Sequence, residues 1–469
     1  MSTQLALPHI EDNAERVKAW EQSVVQQKRG LSTEMKWYLA LFLVASLGGA
    51  IRKWGTSSGA VSNTILGIQM VIPFFMLYFR SPNCYSPFAS YRILIFYFGY
   101  MVYHIIHPLQ YTLWHGLFGM LVHGGFWLGI FYYFSNRHLF RPQQYMKWFL
   151  GIAILEIVLA FVQYALPPSH FLNKYASDLI EVATVGDKVR VTGTFSFLSG
   201  YTAYMMFYCL MIWTMARLRF PQWMVFTAVV FGVAATFMTG SRSLLVIFIL
   251  FMGAMLFTEY PARTVFSVLG RLIIPAMIFT AVVLLYKKIP LGDQISLAYG
   301  NFMGRVDANA KSGEQTSRLL TDWYYIQNGR YQHPIAGIGL GATYQGATQL
   351  FGTSPYVWEF GYVETEFSRV LLEGGLIILF FKTALALIMA FNLSFGGAAR
   401  WIVWFVVAFG QPIVYNPHNA SFLLLGIILL DNVVWRQKME KRLARPATDA
   451  GPDESLTPEP AVATSNPTV

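Results

Sequence analysis

Long apolar runs separated by polar connections recur from residue 37 to residue 435. Each run is about 14 to 22 residues long and continuously apolar, a pattern that predicts membrane-spanning helices and excludes the alternation of a transmembrane β-barrel. About twelve spans are predicted, near residues 37–50, 61–79, 92–106, 113–134, 148–166, 201–217, 222–238, 244–257, 272–286, 368–392, 400–415 and 418–435. The expected fold is all-α, a polytopic bundle forming one membrane unit over residues 37–435. Two connections break the rhythm: about 34 residues at 167–200 and about 80 at 287–367, the second a large and partly helical loop between spans nine and ten. Loops of that length commonly serve as lids or binding loops, so chemistry is sought on the face that carries them.

The flanks differ in character. Within residues 1–36, Ile10, Val17, Trp20 and Val24 share one helical face while Arg16, Lys18 and Lys28 lie elsewhere, which predicts a helix lying on the inner membrane surface. Residues 436–469 end in a stretch rich in Pro, Ala, Thr and Ser without periodicity, expected to be disordered.

Composition strengthens the membrane reading. Only 12% of the chain is charged against 55% hydrophobic and 16% aromatic, so a soluble fold of this size would lack the polar surface to cover its core. The net charge is +10, from 34 basic and 24 acidic residues. With a cytoplasmic N-terminus, about twenty of the basic residues fall on the inner side, and both termini are predicted cytoplasmic. Cys84 and Cys209 form no disulfide framework, the first lying in a basic loop and the second inside an apolar run. No cleavable leader, internal repeat or phosphate-cradling Gly-Lys-Ser/Thr loop is visible. An ATP-driven pump is thereby excluded, and no nucleic-acid partner is expected.

The outer-face arginines carry the candidate chemistry. Arg52 and Lys53 follow the first span, Arg190 lies in Val189-Arg190-Val191-Thr192-Gly193-Thr194-Phe195-Ser196, Arg242 sits in the Gly240-Ser241-Arg242-Ser243 hairpin, Arg318 lies in the large loop, and Arg369 opens the tenth span. A guanidinium at membrane depth costs about 2.5–3.5 kcal/mol on insertion scales, so it normally lines a polar cavity or meets an anion. Its planar fork donates two parallel hydrogen bonds to a phosphate and keeps its charge in a poorly hydrated site. Lys53 could equally snorkel to the headgroups.

Acids and histidines complete the picture. Glu364, Glu366, Arg369 and Glu373 cluster at the mouth of the tenth span. On a continuous helix Glu366, Arg369 and Glu373 share a face, letting the arginine pair with an acid on either side. Glu364 at the edge of a low-dielectric cavity is suited to take a proton from a hydroxyl. His333 opens His333-Pro334-Ile335-Ala336-Gly337-Ile338-Gly339-Leu340-Gly341, whose alternating glycines allow close backbone approach but form no dinucleotide fingerprint. His104, His107, His115 and His123 have helical spacing without an accompanying carboxylate, so interhelical hydrogen bonding is expected there and no metal site.

Taken in order, these motifs resemble the superfamily of bacterial O-antigen ligases and O-antigen polymerases. The likeness runs from Arg52 to His418, through Arg52-Lys53-Trp54, the Arg-x-Thr-Gly-Thr-Phe-Ser segment ending in Ser199-Gly200-Tyr201, the Gly-Ser-Arg-Ser hairpin, His-Pro with Gly-x-Gly-x-Gly, and Glu373-Gly374-Gly375. The resemblance implies a glycosyltransferase of the bacterial inner membrane, acting in O-antigen or exopolysaccharide biosynthesis. Its donor would be an undecaprenyl-pyrophosphate-linked glycan and its acceptor a glycan or lipid hydroxyl on the periplasmic face, with neither cofactor nor metal required. A flippase and a chain-length regulator are the partners such systems imply. On this reading Glu364, Arg242 and Arg369 are catalytic, while Arg52, Arg190, Arg318, Glu366 and His333 bind the pyrophosphate and sugars. Ligases of the family carry a His-Asn pair nine residues before the final glutamate, where this chain has Glu364-Thr365. That difference turns the expectation from transfer onto lipid A core toward a polymerase or another acceptor. A transporter or flippase for the same lipid-linked glycans, or a non-catalytic assembly protein, is the competing class, and inverted repeats and helices broken near the midplane would favour transport.

The predicted orientation is testable with fusions after residue 469. A fluorescent protein there is expected to fluoresce and alkaline phosphatase to stay inactive; an active phosphatase would reverse the topology.

Overall fold

The computed structural model describes residues 33–56, 58–78, 91–176, 182–185, 188–259, 325–363, 365–410 and 416–443, with residues 300 and 413. In chain order the elements are α1 (Thr33–Ala50), running on through a wider π turn at Ile51–Gly55, then α2 (Gly59–Tyr78), α3 (Tyr91–Ile105), α4 (Leu113–Ser135) and α5 (Pro142–Ala165). A two-stranded antiparallel ribbon, β1 (Thr184–Val185) and β2 (Lys188–Val189), precedes α6 (Leu198–Arg217), α7 (Gln222–Thr239) and α8 (Arg242–Glu259). After the large loop's short α9 (Gln345–Phe351) and α10 (Pro355–Phe360) come α11 (Glu366–Asn392), α12 (Ala398–Phe405) with a π turn at Val406–Gly410, and α13 (Pro417–Leu443).

Local sequence explains where these helices begin. The Thr112 side chain accepts from His115 N at the start of α4, Pro142 occupies the first turn of α5, and Thr365 accepts from Ser368 N ahead of α11. Each device answers an N–H that the helix itself leaves unbonded.

Among the described residues seven helices are, by length and composition, long and apolar enough to cross a membrane: Met35–Gly55, Gly59–Met76, Leu113–Ser135, Pro142–Ala165, Gln222–Thr239, Glu366–Asn392 counted across its break at Gly375, and Pro417–Lys441. Three shorter apolar helices join them, at Ile93–Ile105, Ser243–Glu259 and Ala398–Phe409. Large apolar side chains such as Phe75, Phe96, Ile154, Ile249 and Phe380 stand exposed along these helices, as a lipid-facing exterior requires. α6 is different. It carries Tyr201, Tyr204, Tyr208 and Thr214, and it is buried along nearly its whole length against α13, α7 and α8. A helix shielded from lipid on all sides can carry such polar groups, because its neighbours and not the bilayer must accommodate them. The described helices overlie the expected spans except that at 272–286, which lies outside the described residues along with the predicted helix at 10–30. α13 runs past the expected end at 435 to Leu443, since Arg436 there donates to the carbonyls of His138 and Phe140.

Side-chain contacts sort the connections into two ends. One end gathers the long loops: Lys53 reaches Thr192, Trp54 reaches Phe171, Arg190 reaches Thr239, Tyr356 reaches Leu109 and His115 meets Gly352. At the other end Arg137 pairs with the fully buried Asp431, which also accepts from Tyr133 Oη at 2.5 Å and from Ser394 N. Arg217 pairs with Glu259 at 2.6 Å on the same side. The Arg137–Asp431 network ties the α4–α5 turn to α11 and α13. Asp431→Ala leaves a buried guanidinium uncompensated and is expected to lower stability by about 3–5 kcal/mol, measured by thermal unfolding in detergent.

Candidate functional site

At the loop end two segments enter the bundle from above. The first is the Arg-Val-Thr-Gly-Thr-Phe-Ser run at 190–196, whose residues from Val191 to Ser196 are all buried. Backbone inserted among helices must find partners, since none is available from lipid. Gln163 supplies them by accepting from Thr192 N and Gly193 N and donating to Gly193 O. Glu156 accepts from Thr194 N at 3.1 Å and from the Thr194 hydroxyl. Lys53, 1% exposed, donates to Thr192 Oγ1 at 2.8 Å and Gly193 O at 3.0 Å, so it is a fastener for this segment instead of a snorkelling headgroup contact. Position 193 admits only glycine: its φ is +53°, and an added Cβ would lie 2.0 Å from Glu156 Oε2.

The second segment is the His-Pro and alternating-glycine run, and it meets a break in α11. Gly375 has φ 67° and ψ −173°, which divides the helix into halves at 366–374 and 376–392. Glu366 and Lys382 stand 2.5 Å apart across the break. Sixteen residues would separate them by about 24 Å on a straight helix, so the halves fold back against each other with Gly375 at the apex. The glycine-rich run closes both exposed helix ends. Pro334 O and Ile335 O accept from Leu376 N and Ile377 N, while Ile338 N and Gly339 N donate to Leu372 O and Glu373 O. The Glu373 carboxylate locks the arrangement by accepting from Gly341 N at 2.8 Å, Thr343 N at 2.8 Å and Thr343 Oγ1 at 2.7 Å.

The break changes the expected pairing of charges. Arg369 remains within electrostatic range of Glu373, but Glu366 turns to Lys382, which also donates to Ala408 O in the π turn. Arg369 is 1% exposed, donates to Thr343 O and Val363 O at 2.8 Å, and lies 5.0 Å over the Tyr344 ring.

Arg52 links the two segments. It donates to Ser62 Oγ at 2.8 Å and is within electrostatic range of both Tyr344 and His418. His418, at the start of α13, packs its ring against Phe195 of the first inserted segment. Arg190 donates to Thr239 O at 2.8 Å, at the neck of the hairpin that carries Arg242. The backbone of Arg242 opens α8, while its side chain, Glu364 and Arg318 lie outside the described residues. His333 is exposed at the rim of the glycine-rich run. The structure thus sets Arg369 over the Tyr344 ring with Arg52 within electrostatic range of the same tyrosine, holds Arg190 at the hairpin neck, and places Glu366 in a buried ion pair with Lys382.

Glu156, Gln163, Lys382, Thr343 and Tyr344 are participants that sequence reasoning passed over. Glu156 and Lys382 had a signal, each being an ionisable group inside an otherwise apolar run; the others had none. Among the described residues no group of three or more His, Cys, Asp and Glu side chains is placed to hold a metal ion. Comparison with protein-family models, with curated proteins and with solved structures returned no match.

Gly375→Ala tests the apex directly. Its positive φ, and a Cβ that would fall 2.2 Å from Ile335 O, predict a loss of at least about 2 kcal/mol, seen as a lower unfolding temperature together with faster proteolysis in residues 333–344.

Proposed function

We propose that the chain transfers an undecaprenyl-pyrophosphate-linked glycan to an acceptor hydroxyl at the face carrying its long loops, as a polymerase or ligase of O-antigen or exopolysaccharide in the bacterial inner membrane. One observation supports this most: Arg52, Arg190 and Arg369, from three segments far apart in sequence, stand at one end of the bundle, each oriented by a neutral oxygen. The planar guanidinium fork matches a phosphate group, so three arginines gathered at one end favour an anionic ligand there.

Chemically, these arginines, with Arg242 and Arg318, would hold the pyrophosphate and stabilise the charge that grows on it as the anomeric C–O bond breaks. Glu364 would take the proton of the acceptor hydroxyl while that oxygen bonds to the anomeric carbon, and undecaprenyl pyrophosphate would leave. Arg369 donates to Val363 O, the residue next to Glu364 in sequence. Neither a metal nor a cofactor takes part in this scheme.

The break in α11 is the feature that would speak for transport. Transporters leave half-helix ends open to substrate; here the ends at Gly375 are occupied by backbone groups of residues 334–339. Catalysis is therefore the better reading.

Complementation of a null strain separates the roles. Glu364→Gln and Arg242→Ala are expected to abolish polymer, and Arg52→Ala to cut the rate by about 10²–10³-fold, with membrane insertion unchanged in all three. Purified protein given a radiolabelled lipid-linked oligosaccharide is expected to extend or transfer the glycan and release undecaprenyl pyrophosphate; movement of label across the membrane without new glycosidic bonds would favour transport.

A further inference from the structure

At the loop end the first turn of α4 and the short α9 present one apolar surface to the outside. Trp114 is 60% exposed, Leu113 52%, Leu350 43% and Tyr111 41%, and Trp114 stacks on Phe351 with 6.2 Å between ring centroids. The surface is built as one piece. His115 Nε2 meets Gly352 O at 3.1 Å and its Nδ1 meets Thr112 Oγ1 at 2.8 Å, while the ring packs on Phe351. Underneath, Tyr344 and Ala347 share a buried cluster with Met70 of α2 and with Phe118 and Val122 of α4. α9 is thereby fastened to two spans. Contiguous apolar surface of this kind marks a protein partner or a membrane.

Charge and level single out the membrane. Residues 345–358 contain no acid, lysine or arginine although only Ala347 and Ser354 among them are buried, and none occurs between Arg92 and Arg137 either. Surface standing in water is where charged side chains are ordinarily found. Here they resume only at Glu359, whose carbonyl accepts from Arg330. The level follows from α4, which enters its span Leu113–Ser135 at this point. The 23 residues of that span rise about 34 Å, slightly more than the roughly 30 Å of bilayer hydrocarbon. Leu113 and Trp114 therefore come at the boundary between acyl chains and headgroups, and the stacking of Phe351 on Trp114 brings α9 to the same level. Tryptophan and tyrosine concentrate at that depth because the ring is apolar while its N–H or O–H stays hydrated. The patch thus continues the lipid-facing exterior of the spans.

We propose that α9 and the head of α4 are seated in the lipid interface at the loop end, with Leu113, Trp114, Leu350 and Phe351 among the headgroups and upper acyl chains, so that the large loop is anchored in the membrane instead of standing above it. A segment seated in this way sinks its apolar side about 5–10 Å into the boundary. The patch has no charged side chain, so the attraction is the burial of apolar rings and calls for no anionic lipid. The seat also fixes Tyr344, which immediately precedes α9 and whose ring lies 5.0 Å from the Arg369 guanidinium. Glycan transfer is not a condition for it: a transporter or an assembly protein with this loop would sit in the same way.

The experiment is spin-label accessibility, read by electron paramagnetic resonance on the full-length protein in phosphatidylcholine nanodiscs. Cys84→Ser and Cys209→Ala clear the background, and one label is placed at Leu350→Cys, Leu113→Cys or Asn328→Cys, the last in the exposed Gln327-Asn328-Gly329-Arg330 turn. The labels at 350 and 113 are expected to relax with dissolved oxygen and to lose most of the contact with a water-soluble nickel chelate that the label at 328 shows. A label at 350 as open to the chelate as that at 328 puts the loop in water and overturns the seat. One closed to both relaxers means that protein covers the patch, which overturns it as well. Wild type gives a second reading without any substitution: phosphatidylcholine carrying a diazirine near the top of one acyl chain is expected to label residues 345–351, located by mass spectrometry. Labelling of the spans with none in that segment overturns the proposal.

Discussion

Three hydrogen bonds to one carboxylate hold the loop end of this protein together. Glu373 accepts from Gly341 N, Thr343 N and Thr343 Oγ1 at 2.7 to 2.8 Å, and in doing so joins a broken helix to the backbone that plugs the break. A fold-back at membrane depth exposes carbonyls of one half-helix and amides of the next, groups that lipid cannot satisfy. The run from Pro334 to Gly339 answers both sets, and Glu373 secures that run from beneath. Thr343, fixed by the carboxylate through its amide and hydroxyl, offers its carbonyl to Arg369. The orientation of the buried guanidinium therefore follows from the bonds that close the apex.

The segment at 190–196 solves the same problem with different chemistry. Side chains of Gln163, Glu156 and Lys53 replace the missing ladder partners, and glycine at 193 lets Glu156 come close. Both insertions carry motifs of the candidate site: Arg190 stands on the first, and the second, through Thr343, fixes Arg369 on α11. Under the proposed function, rigid support of this kind would hold the donors in place before charge develops on a leaving group. The opposite end of the bundle is held by the Arg137–Asp431 network, which leaves the loop end free of that structural burden.

Much of the candidate site was legible because ionisable residues in an apolar chain are costly and therefore conspicuous. Arg52, Arg190 and Arg369 stood out on that ground, and the structure places each at the loop end. Their partners were harder to read. The spacing of Glu366, Arg369 and Glu373 implies a shared face only if the helix continues, and Gly375 ends it. Glycine is compatible with either outcome, since it occupies helical and left-handed conformations alike. Lys382, sixteen positions away from Glu366, could be recognised as its partner only once the halves were seen to fold back. His115 bonds to Thr112 Oγ1 at the cap of its own helix and to Gly352 O beyond α9, His104 packs against the Tyr100 and Tyr103 rings, and His123 Nε2 stands 3.7 Å from a Glu373 oxygen.

Hydropathy and helical period are properties of consecutive residues, so the chain by itself determined that the protein is helical and apolar enough for a membrane; of the twelve spans it predicted, seven helices among the described residues are long and apolar enough to cross one. Partner choice is a property of distance in space. Whether Lys53 reaches lipid or Thr192, and whether Glu373 neutralises an arginine or buttons down a loop, depended on where inserted backbone came to rest among the helices. Tertiary structure decided those points, because unsatisfied amides and carbonyls at membrane depth must take whichever donors and acceptors the packed bundle brings within about 3 Å.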